Sequence, residues 1–281
     1  MDWSKAKTIL IIAFVVTNLI LIYVIFDFHS IDEPTLKENF IDDVVKLLNE
    51  KDIKVDCKIS RELPLLPMMT VEYEKWDSTL LNNEFFRGKG DIQIQGDKIV
   101  QCNRGLETLT LVDDKNLIYE NKDDKAKYSH ITKGEAIDLA KRFLIDRGME
   151  TDDIKLSYYK ESDDIHYIYF TKAYKNVYVE KAYTKFEIDK RGVKRFERIW
   201  LNTVNMGETK ISIDTAPKAI LKLLSMPETY GKVIEDISLC YYFDPQRNMD
   251  IENPKNTKQG KTSPAWRVQF DDGLVVYLDE Y

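Results

Sequence analysis

An uninterrupted apolar run near the N-terminus is the first pattern along the chain. Residues 8–26 contain no charged residue, no Gly and no Pro. A helix over this range would be about 28 Å long, which is close to the hydrocarbon thickness of a bilayer. Bulky or charged residues follow the run, where cleavage of a signal sequence would require small ones. The pattern therefore predicts an uncleaved transmembrane helix at 8–26.

The charges that flank the run predict its orientation. Two lysines precede it, Lys5 and Lys7, and acidic residues follow it closely: Asp27, Asp32 and Glu33. Because basic residues stay on the cytoplasmic side of a membrane, residues 1–7 are expected in the cytoplasm and residues 27–281 outside it. The sequence thus predicts a single-pass protein of the cell membrane, with its anchor in lipid.

A polar stripe interrupts the apolar run. Thr17 and Asn18 fall with Phe14 and Leu21 on one side of a helix, at spacings of three and four residues. An Asn side chain inside a bilayer can hydrogen-bond a neighbouring helix, for about 0.6–2 kcal/mol. The stripe is therefore a candidate partner contact. The alternative, that a long apolar helix simply tolerates one Asn, stays open.

Beyond the run, amphipathic helices are each followed by several strands. Helices are predicted at 35–50 and 132–147, both opening with a Thr-x-x-Glu capping box, and from near Thr215 to before Pro227. Apolar and polar residues alternate after each helix, most clearly in HYIYFTKAYKNVYVEKAYTKFEIDKRGVKRFERIWL. This order is not strict βαβ alternation, so the predicted class is α+β with helices packed on antiparallel sheets.

A charged, turn-rich segment divides the predicted extracytoplasmic region. The stretch LVDDKNLIYENKDDKAKYS contains few apolar residues and many turn formers. Such composition is typical of a boundary between compact units. The sequence therefore predicts a first α+β lobe at 31–128 and a second at 129–281.

Composition excludes several functions. The formal net charge is −7, which disfavours nucleic acid as a partner because binding depends on neutralising phosphates. The chain has 3 Cys, widely spaced and without a CxxC pattern. A disulfide framework or a zinc site is therefore not expected, and the cysteines are predicted to be small core residues.

No pattern of catalytic residues stands out. The sequence contains no GxSxG, HExxH, P-loop or GxGxxG pattern. The histidines are isolated from one another: His29, His130 and His166. Paired aspartates fall in predicted turns, and the stretch DPQRNMDIE lacks the glycine and the spacing of a hand-type calcium loop. The sequence predicts no catalytic residue, no cofactor and no metal site.

The opening MDWSKAKTILIIAFVVTNLILIYVIF resembles the start of the YycI family, whose members belong to the paired YycH/YycI regulatory membrane proteins of Gram-positive bacteria. In that family, a short Asp-Trp-Ser-Lys-x-Lys start leads directly into one membrane helix. The matching residues here are Asp2, Trp3, Ser4, Lys5 and Lys7. The long β-rich stretch and the closing PAWRVQFDDGLVVYLD resemble later parts of the family, but the N-terminal motif is the specific part.

The resemblance implies a regulator and not an enzyme. It implies that the protein acts on a membrane sensor histidine kinase of a cell-wall-controlling two-component system, through its membrane helix. It also implies an extracytoplasmic domain that pairs with a YycH-type partner, while a homo-oligomer and the sign of regulation stay open. The residues alone leave two alternatives: an anchored extracytoplasmic binding module for cell-wall polymer or peptide, and an anchored hydrolase.

Overall fold

The computed structural model describes residues 3–29, 34–96, 98–246 and 259–279. In the first of these ranges, side chains are described for Trp3 and for residues 7–21. The α-helices are α1 (Trp3–His29), α2 (Glu38–Asn49), α3 (Ser78–Phe86), α4 (Lys133–Ile145) and α5 (Ala216–Ile220). Short 3₁₀-helical turns lie at Pro34–Leu36, Leu221–Ser225 and Pro227–Thr229.

Helix α1 contains the whole of the predicted membrane run. Among the described residues, no helix combines the length and the apolar character that crossing a membrane requires. The transmembrane helix at 8–26 therefore stays a prediction.

The strands contribute more residues than the helices in the described part of the chain. They are β1 (Lys54–Val55), β2 (Leu65–Tyr73), β3 (Asp91–Gln95), β4 (Ile99–Arg104), β5 (Glu107–Val112), β6 (Asn116–Asn121), β7 (Ile154–Ser162), β8 (Ile165–Tyr174), β9 (Val177–Asp189), β10 (Gly192–Ile199), β11 (Leu201–Ser212), β12 (Val233–Tyr242), β13 (Gln259–Phe270) and β14 (Val275–Leu278). Alternating buried and half-buried positions along β8 and β9 match the alternation in the sequence.

The described strands form one 14-stranded sheet. Its main order is β11-β2-β13-β12-β9-β10-β6-β5-β4-β3, while β1, β7, β8 and β14 pair beside this path. The pairings between described strands are antiparallel except for β1 with β12 and β9 with β12. The predicted α+β class with an antiparallel-dominated sheet is therefore confirmed.

Two large hydrophobic cores lie against this sheet. The first joins α3 and α4 to strands β4–β6 and β8–β10, with an aromatic cluster at its centre: Phe85, Tyr119, Phe143, Phe186 and Phe196. The second packs α2 and α5 against β12–β14 around Leu48, Ile220 and Trp266.

Each core draws residues from both sides of residue 128. The cause is strand pairing, since β6 pairs with β10 and β1 pairs with β12. Each core thus contains residues from both predicted lobes, 31–128 and 129–281. The limits of the two lobes stay a prediction.

The starts of the helices confirm one predicted cap and correct another. Thr132 caps α4 as expected, because its Oγ1 accepts from Glu135 N and the Glu135 carboxylate accepts from Thr132 N at 2.8 Å. The box predicted at Thr35 is wrong, since α2 begins three residues later and its N-cap is Lys37. Thr35 lies in a 3₁₀ turn, and its hydroxyl is 2.6 Å from that of Thr215.

Several elements are not predicted from the sequence, among them α3, β6 and β7. Helix α3 is short, and Asp77 caps it by accepting from Thr79 N and Leu80 N. Strand β6 lies inside the charged segment that is predicted to separate the two lobes. The third predicted helix is also shorter than expected, because α5 gives way to a 3₁₀ turn at Leu221.

The paired aspartates make hairpin turns, as predicted. Asp113 and Asp114 have φ of 51° and 56°, and Asp163 and Asp164 have φ of 54° and 59°. Two consecutive left-handed residues match the right-handed twist of the flanking strands, and short polar side chains tolerate that conformation. These two acidic pairs are therefore accounted for by turn geometry.

Replacing Thr132 with Ala removes one half of the α4 capping box. We expect the free energy of unfolding to fall by about 1 kcal/mol. The measurement is denaturant unfolding of the full chain, with Ser129→Ala, an exposed position just before the helix, as the matched control. Equal stabilities of the two variants would contradict the cap assignment.

Replacing Asp164 with Gly removes the steric cost of a left-handed backbone conformation at this position. We expect a gain of about 0.5 kcal/mol in unfolding free energy, because Gly adopts positive φ without steric cost. Asp152→Gly is the control, since Asp152 lies in a loop outside the left-handed region and should lose stability from added chain entropy. A loss of stability in Asp164→Gly would contradict the turn assignment.

Candidate functional site

The predicted stripe occupies one side of α1. Phe14, Thr17 and Leu21 are exposed and Asn18 is half-buried. Thr17 Oγ1 donates to Ala13 O at 2.9 Å, and Asn18 Nδ2 donates to Phe14 O at 2.8 Å. Each polar side chain thus satisfies one backbone carbonyl of its own helix. The role of the stripe as a partner contact stays a prediction.

A second candidate site lies beside β9, where this strand changes from pairing with β12 to pairing with β10. These pairings divide the sheet into two parts, one on the β12 side and one on the β10 side. A cleft of about 300 Å³ opens there between β7, β8, β9, β13 and β14. We call it the junction cleft, and its polar and aromatic lining comprises Tyr158, Tyr169, Glu180, Lys181, Tyr183, Lys185, Arg267 and Tyr277. Its position places side chains from distant parts of the chain around one concave surface.

A change of strand partner in β9 creates this cleft. Tyr178 and Val179 pair in parallel with β12, whereas the part of β9 from Tyr183 onward pairs with β10. The β8 register shifts across the same point, and Lys181 has φ of 74°. Left-handed backbone is uncommon for a lysine and costs of order 1–3 kcal/mol. The irregularity interrupts the alternation of β9, so that consecutive residues, Glu180 and Lys181, both line the cleft.

A buried ion pair forms the floor of the junction cleft. Arg267 is 2% exposed, and its Nε donates to Glu180 Oε1 at 2.7 Å. Its other nitrogens donate to Gln269 at 2.5 Å and to Asp236 at 3.3 Å. Tyr277 donates to the second oxygen of Glu180 at 2.7 Å. Both charges are therefore held by hydrogen bonds, as buried charges must be.

Burial keeps the tyrosines of the cleft neutral. Burial raises the pKa of Tyr277, and the adjacent Glu180 carboxylate raises it further. Burial likewise raises the pKa of Tyr183, whose hydroxyl donates to Glu197 at 2.8 Å. Both phenols are thus hydrogen-bond donors at neutral pH, and neither is poised as a phenolate base.

Two lysines extend over the aromatic rings. Lys181 Nζ is 5.1 Å from the Tyr277 ring centre, and Lys185 Nζ is 4.6 Å from that of Tyr183. These distances suit cation–π attraction. In the described part of the chain, neither ammonium group forms an ion pair with a carboxylate. The cleft therefore contains two ammonium groups that have no ion-paired carboxylate among the described residues.

Two of the histidines, His130 and His166, line one small cavity of about 100 Å³ together with two acidic side chains. His166 is buried and its Nδ1 lies 2.9 Å from Tyr159 Oη, while His130 is exposed. Cys102 and Cys240 are buried, as predicted, but Cys57 is only half-buried. Burial, reinforced by nearby aspartates, raises the pKa of Cys57 to about 11, so that the thiol stays protonated.

Within the residues that the structure describes, no cluster of three or more His, Cys, Asp or Glu side chains could hold a metal ion. The side chain of His29 and most of the stretch DPQRNMDIE, from residue 247 onward, lie outside the described residues.

The junction cleft is the feature that sequence patterns missed. Glu180 and Arg267 are separated by 87 positions, and local periodicity carries no information about such a pair. The sequence YVEKAYTKFE does contain a visible sign, since tyrosines and lysines recur within a strand. That sign alone does not tell which faces meet.

Solved structures with a related fold were found by comparison of coordinates. An uncharacterized protein from Eubacterium rectale is 12% identical, with a TM-score of 0.52 over 84% of this chain and 94% of its own. YycH from Bacillus subtilis is 14% identical, with a TM-score of 0.49 over 78% of this chain and 54% of its own. The C-terminal domain of Bacillus megaterium YpeB is 12% identical, with a TM-score of 0.41 over 74% and 95%. The first of these likenesses shows the fold alone.

Comparison of sequences gives the family. No curated protein sequence matches the chain. The family model described as YycI protein matches residues 33–276, which include every described strand except the last two residues of β14. The N-terminal Asp-Trp-Ser-Lys start lies outside this match, so the match and the motif are separate observations. Together with the α+β fold, they lead to one conclusion: this chain belongs to the YycI protein family.

Proposed function

We propose that this protein is a non-enzymatic regulator of a membrane sensor histidine kinase in a cell-wall-controlling two-component system. The observation that carries the proposal is the family match over residues 33–276. In this proposal, α1 anchors the protein and contacts a partner helix. The α+β region lies outside the cell as two lobes and pairs with a YycH-type partner.

The surface of α1 supports a lipid environment. A helix of 27 residues is about 40 Å long, which exceeds the hydrocarbon thickness of a bilayer. Its described apolar side chains are exposed on every side: Trp3, Ile9, Leu10, Ile11, Ile12, Phe14, Val15, Val16, Leu19, Ile20 and Leu21. Water-exposed apolar surface costs roughly 25 cal/mol per Å². A bilayer removes that cost without a protein partner.

The stripe supports a specific contact within that environment. One amide hydrogen of Asn18 already bonds Phe14 O, so the second hydrogen and the amide oxygen remain for another helix. Hydrocarbon offers no water to satisfy them. Thr17 is less suited to this role, because its only hydroxyl hydrogen bonds Ala13 O.

Regulation requires the protein to bind one state of the kinase more tightly than the other. A difference of about 1 kcal/mol between the two states shifts their ratio roughly five-fold. One interhelical hydrogen bond is of this size. The contact at the stripe therefore suffices to alter kinase output when the complex is not saturated, and either sign of regulation is compatible with it.

Replacing Asn18 with Leu tests the stripe. We expect insertion to be retained and kinase association to weaken by about 1 kcal/mol, roughly five-fold, because the interhelical bond is lost. Thr17→Leu should act in the same direction but less. The measurement is recovery of the kinase from membranes, together with reporter output at matched expression.

Val16→Leu is the control for this experiment, since Val16 lies on the opposite side of α1 and is also exposed. If Asn18→Leu and Val16→Leu both behave like the unmodified protein, the stripe has no regulatory role.

Replacing residues 8–26 with a polyleucine span separates regulation from simple anchoring. The span still inserts, because a run of leucines is long and apolar enough to cross a bilayer. We expect reporter output to change to that of a strain lacking the protein. Unchanged output would favour the alternative, an anchored binding module that acts through its extracytoplasmic region alone.

A further inference from the structure

The junction cleft has the form of a small-ligand site. Its volume of about 300 Å³ lies at the lower end of the range for ligand pockets, about 300–1,000 Å³. It lies where two parts of a sheet with separate cores meet, a common place for such pockets. A concavity of this size accommodates one or two sugar rings but not a protein surface.

The charges of the cleft favour an anion. Lys181 and Lys185 are half-buried and form no ion pair with a carboxylate among the described residues. This is unusual in a chain whose net charge is −7. Arg267 lies beneath them, but its charge is already paired with Glu180, so the two lysines are the groups available to an anion.

The acidic groups of the cleft are already engaged. Glu180 accepts from Arg267 and Tyr277 through its two oxygens. Glu197, beside the cleft, accepts from Tyr183, and Asp272 forms an ion pair with Lys232. Glu180 and Asp272 are therefore not available to pair with the two lysines, whereas Glu197 keeps its charge and lies opposite Lys185 in the β9–β10 pairing.

The aromatic rings favour a sugar. Tyr158 and Tyr169 lie 5.1 Å apart at a tilt of 42°, and Tyr277 stacks on Tyr242 at 4.6 Å. Rings fixed by such contacts lose little side-chain freedom when a ligand binds beside them. The C–H side of a pyranose ring is apolar and slightly positive, so it packs well on the negative face of an aromatic ring.

The backbone of Lys181 is a separate observation that marks the same place. Its φ of 74° is a conformation that glycine adopts freely and lysine does not. Residues in such conformations persist only where the surrounding structure fixes them, and they cluster at functional sites. Here the strained residue carries one of the two unpaired ammonium groups.

From these observations we propose that the junction cleft binds an anionic sugar, a saccharide unit that bears a carboxylate or a phosphate group. Lys181 and Lys185 bind the anionic group, and the tyrosine rings pack against the sugar. The proposal is independent of the regulatory role assigned to α1. It gives the extracytoplasmic region a ligand of its own.

The test uses the full chain in detergent and four probes on related scaffolds: glucuronate, glucose 6-phosphate, glucose and inorganic phosphate. Binding is measured by calorimetry and by saturation-transfer NMR. We expect one or both anionic sugars to bind about ten-fold more tightly than glucose or phosphate. Glucose lacks the anionic group that the lysines bind, and phosphate lacks the sugar ring that packs on the tyrosines. Preference for glucuronate indicates a carboxylated polymer as the source, and preference for glucose 6-phosphate indicates a phosphate-bearing one.

Three variants and one control locate the site. Lys181→Gln and Lys185→Gln should each weaken binding about ten-fold, with melting temperatures close to that of the unmodified chain. Lys160→Gln, at an exposed position of β7 outside the cleft, should bind normally. Lys181→Gly should raise the melting temperature while weakening binding, because it removes both the strain and the charge.

Several outcomes would overturn the proposal. The first is that neither anionic sugar binds. The second is that glucose or phosphate alone binds as tightly as the anionic sugars. The third is that both lysine-to-glutamine variants bind like Lys160→Gln, which would place any binding outside the junction cleft.

Discussion

The ion pair between Arg267 and Glu180 holds the two parts of the sheet together. Arg267 belongs to β13 and Glu180 to β9, and both side chains are almost fully buried. Removing one partner of such a pair leaves a charge stranded in the interior, at a cost of about 3–5 kcal/mol. The change of partner along β9 and the irregular backbone at Lys181 lie directly beside this contact.

A second buried arginine, Arg198, fixes β9 at Thr184, four residues beyond Glu180. Arg198 is 1% exposed, donates twice to Glu74 at 2.8 and 3.0 Å, and donates to Thr184 at 3.1 Å. Its guanidinium also lies 4.1 Å from the Trp200 ring centre. The segment between Glu180 and Thr184 is thus fixed on both sides by charge-assisted hydrogen bonds. Rigid support of this kind is what a strained residue requires.

Sequence patterns captured what depends on neighbours along the chain. The cap at Thr132, the aspartate turns and the alternation of β8 and β9 arise from contacts within a few residues. Patterns failed where a distant residue decides the outcome: Thr35 bonds Thr215 instead of capping a helix. Strand β6 reads as a polar boundary because only one of its faces is buried. The junction cleft is built from strands that lie far apart in the sequence, and Arg267 and Tyr277 both bond Glu180 across it. No local pattern therefore indicates it.

The second core imposes an order on folding. Helix α2 and strand β1 pack against β12–β14, which are synthesised about two hundred positions later. Contacts of such long sequence separation form slowly, because the entropy of closing a large loop must be overcome first. The apolar side of α2 therefore stays uncovered until nearly the whole chain has emerged. During that interval, the uncovered apolar side of this helix is open to aggregation.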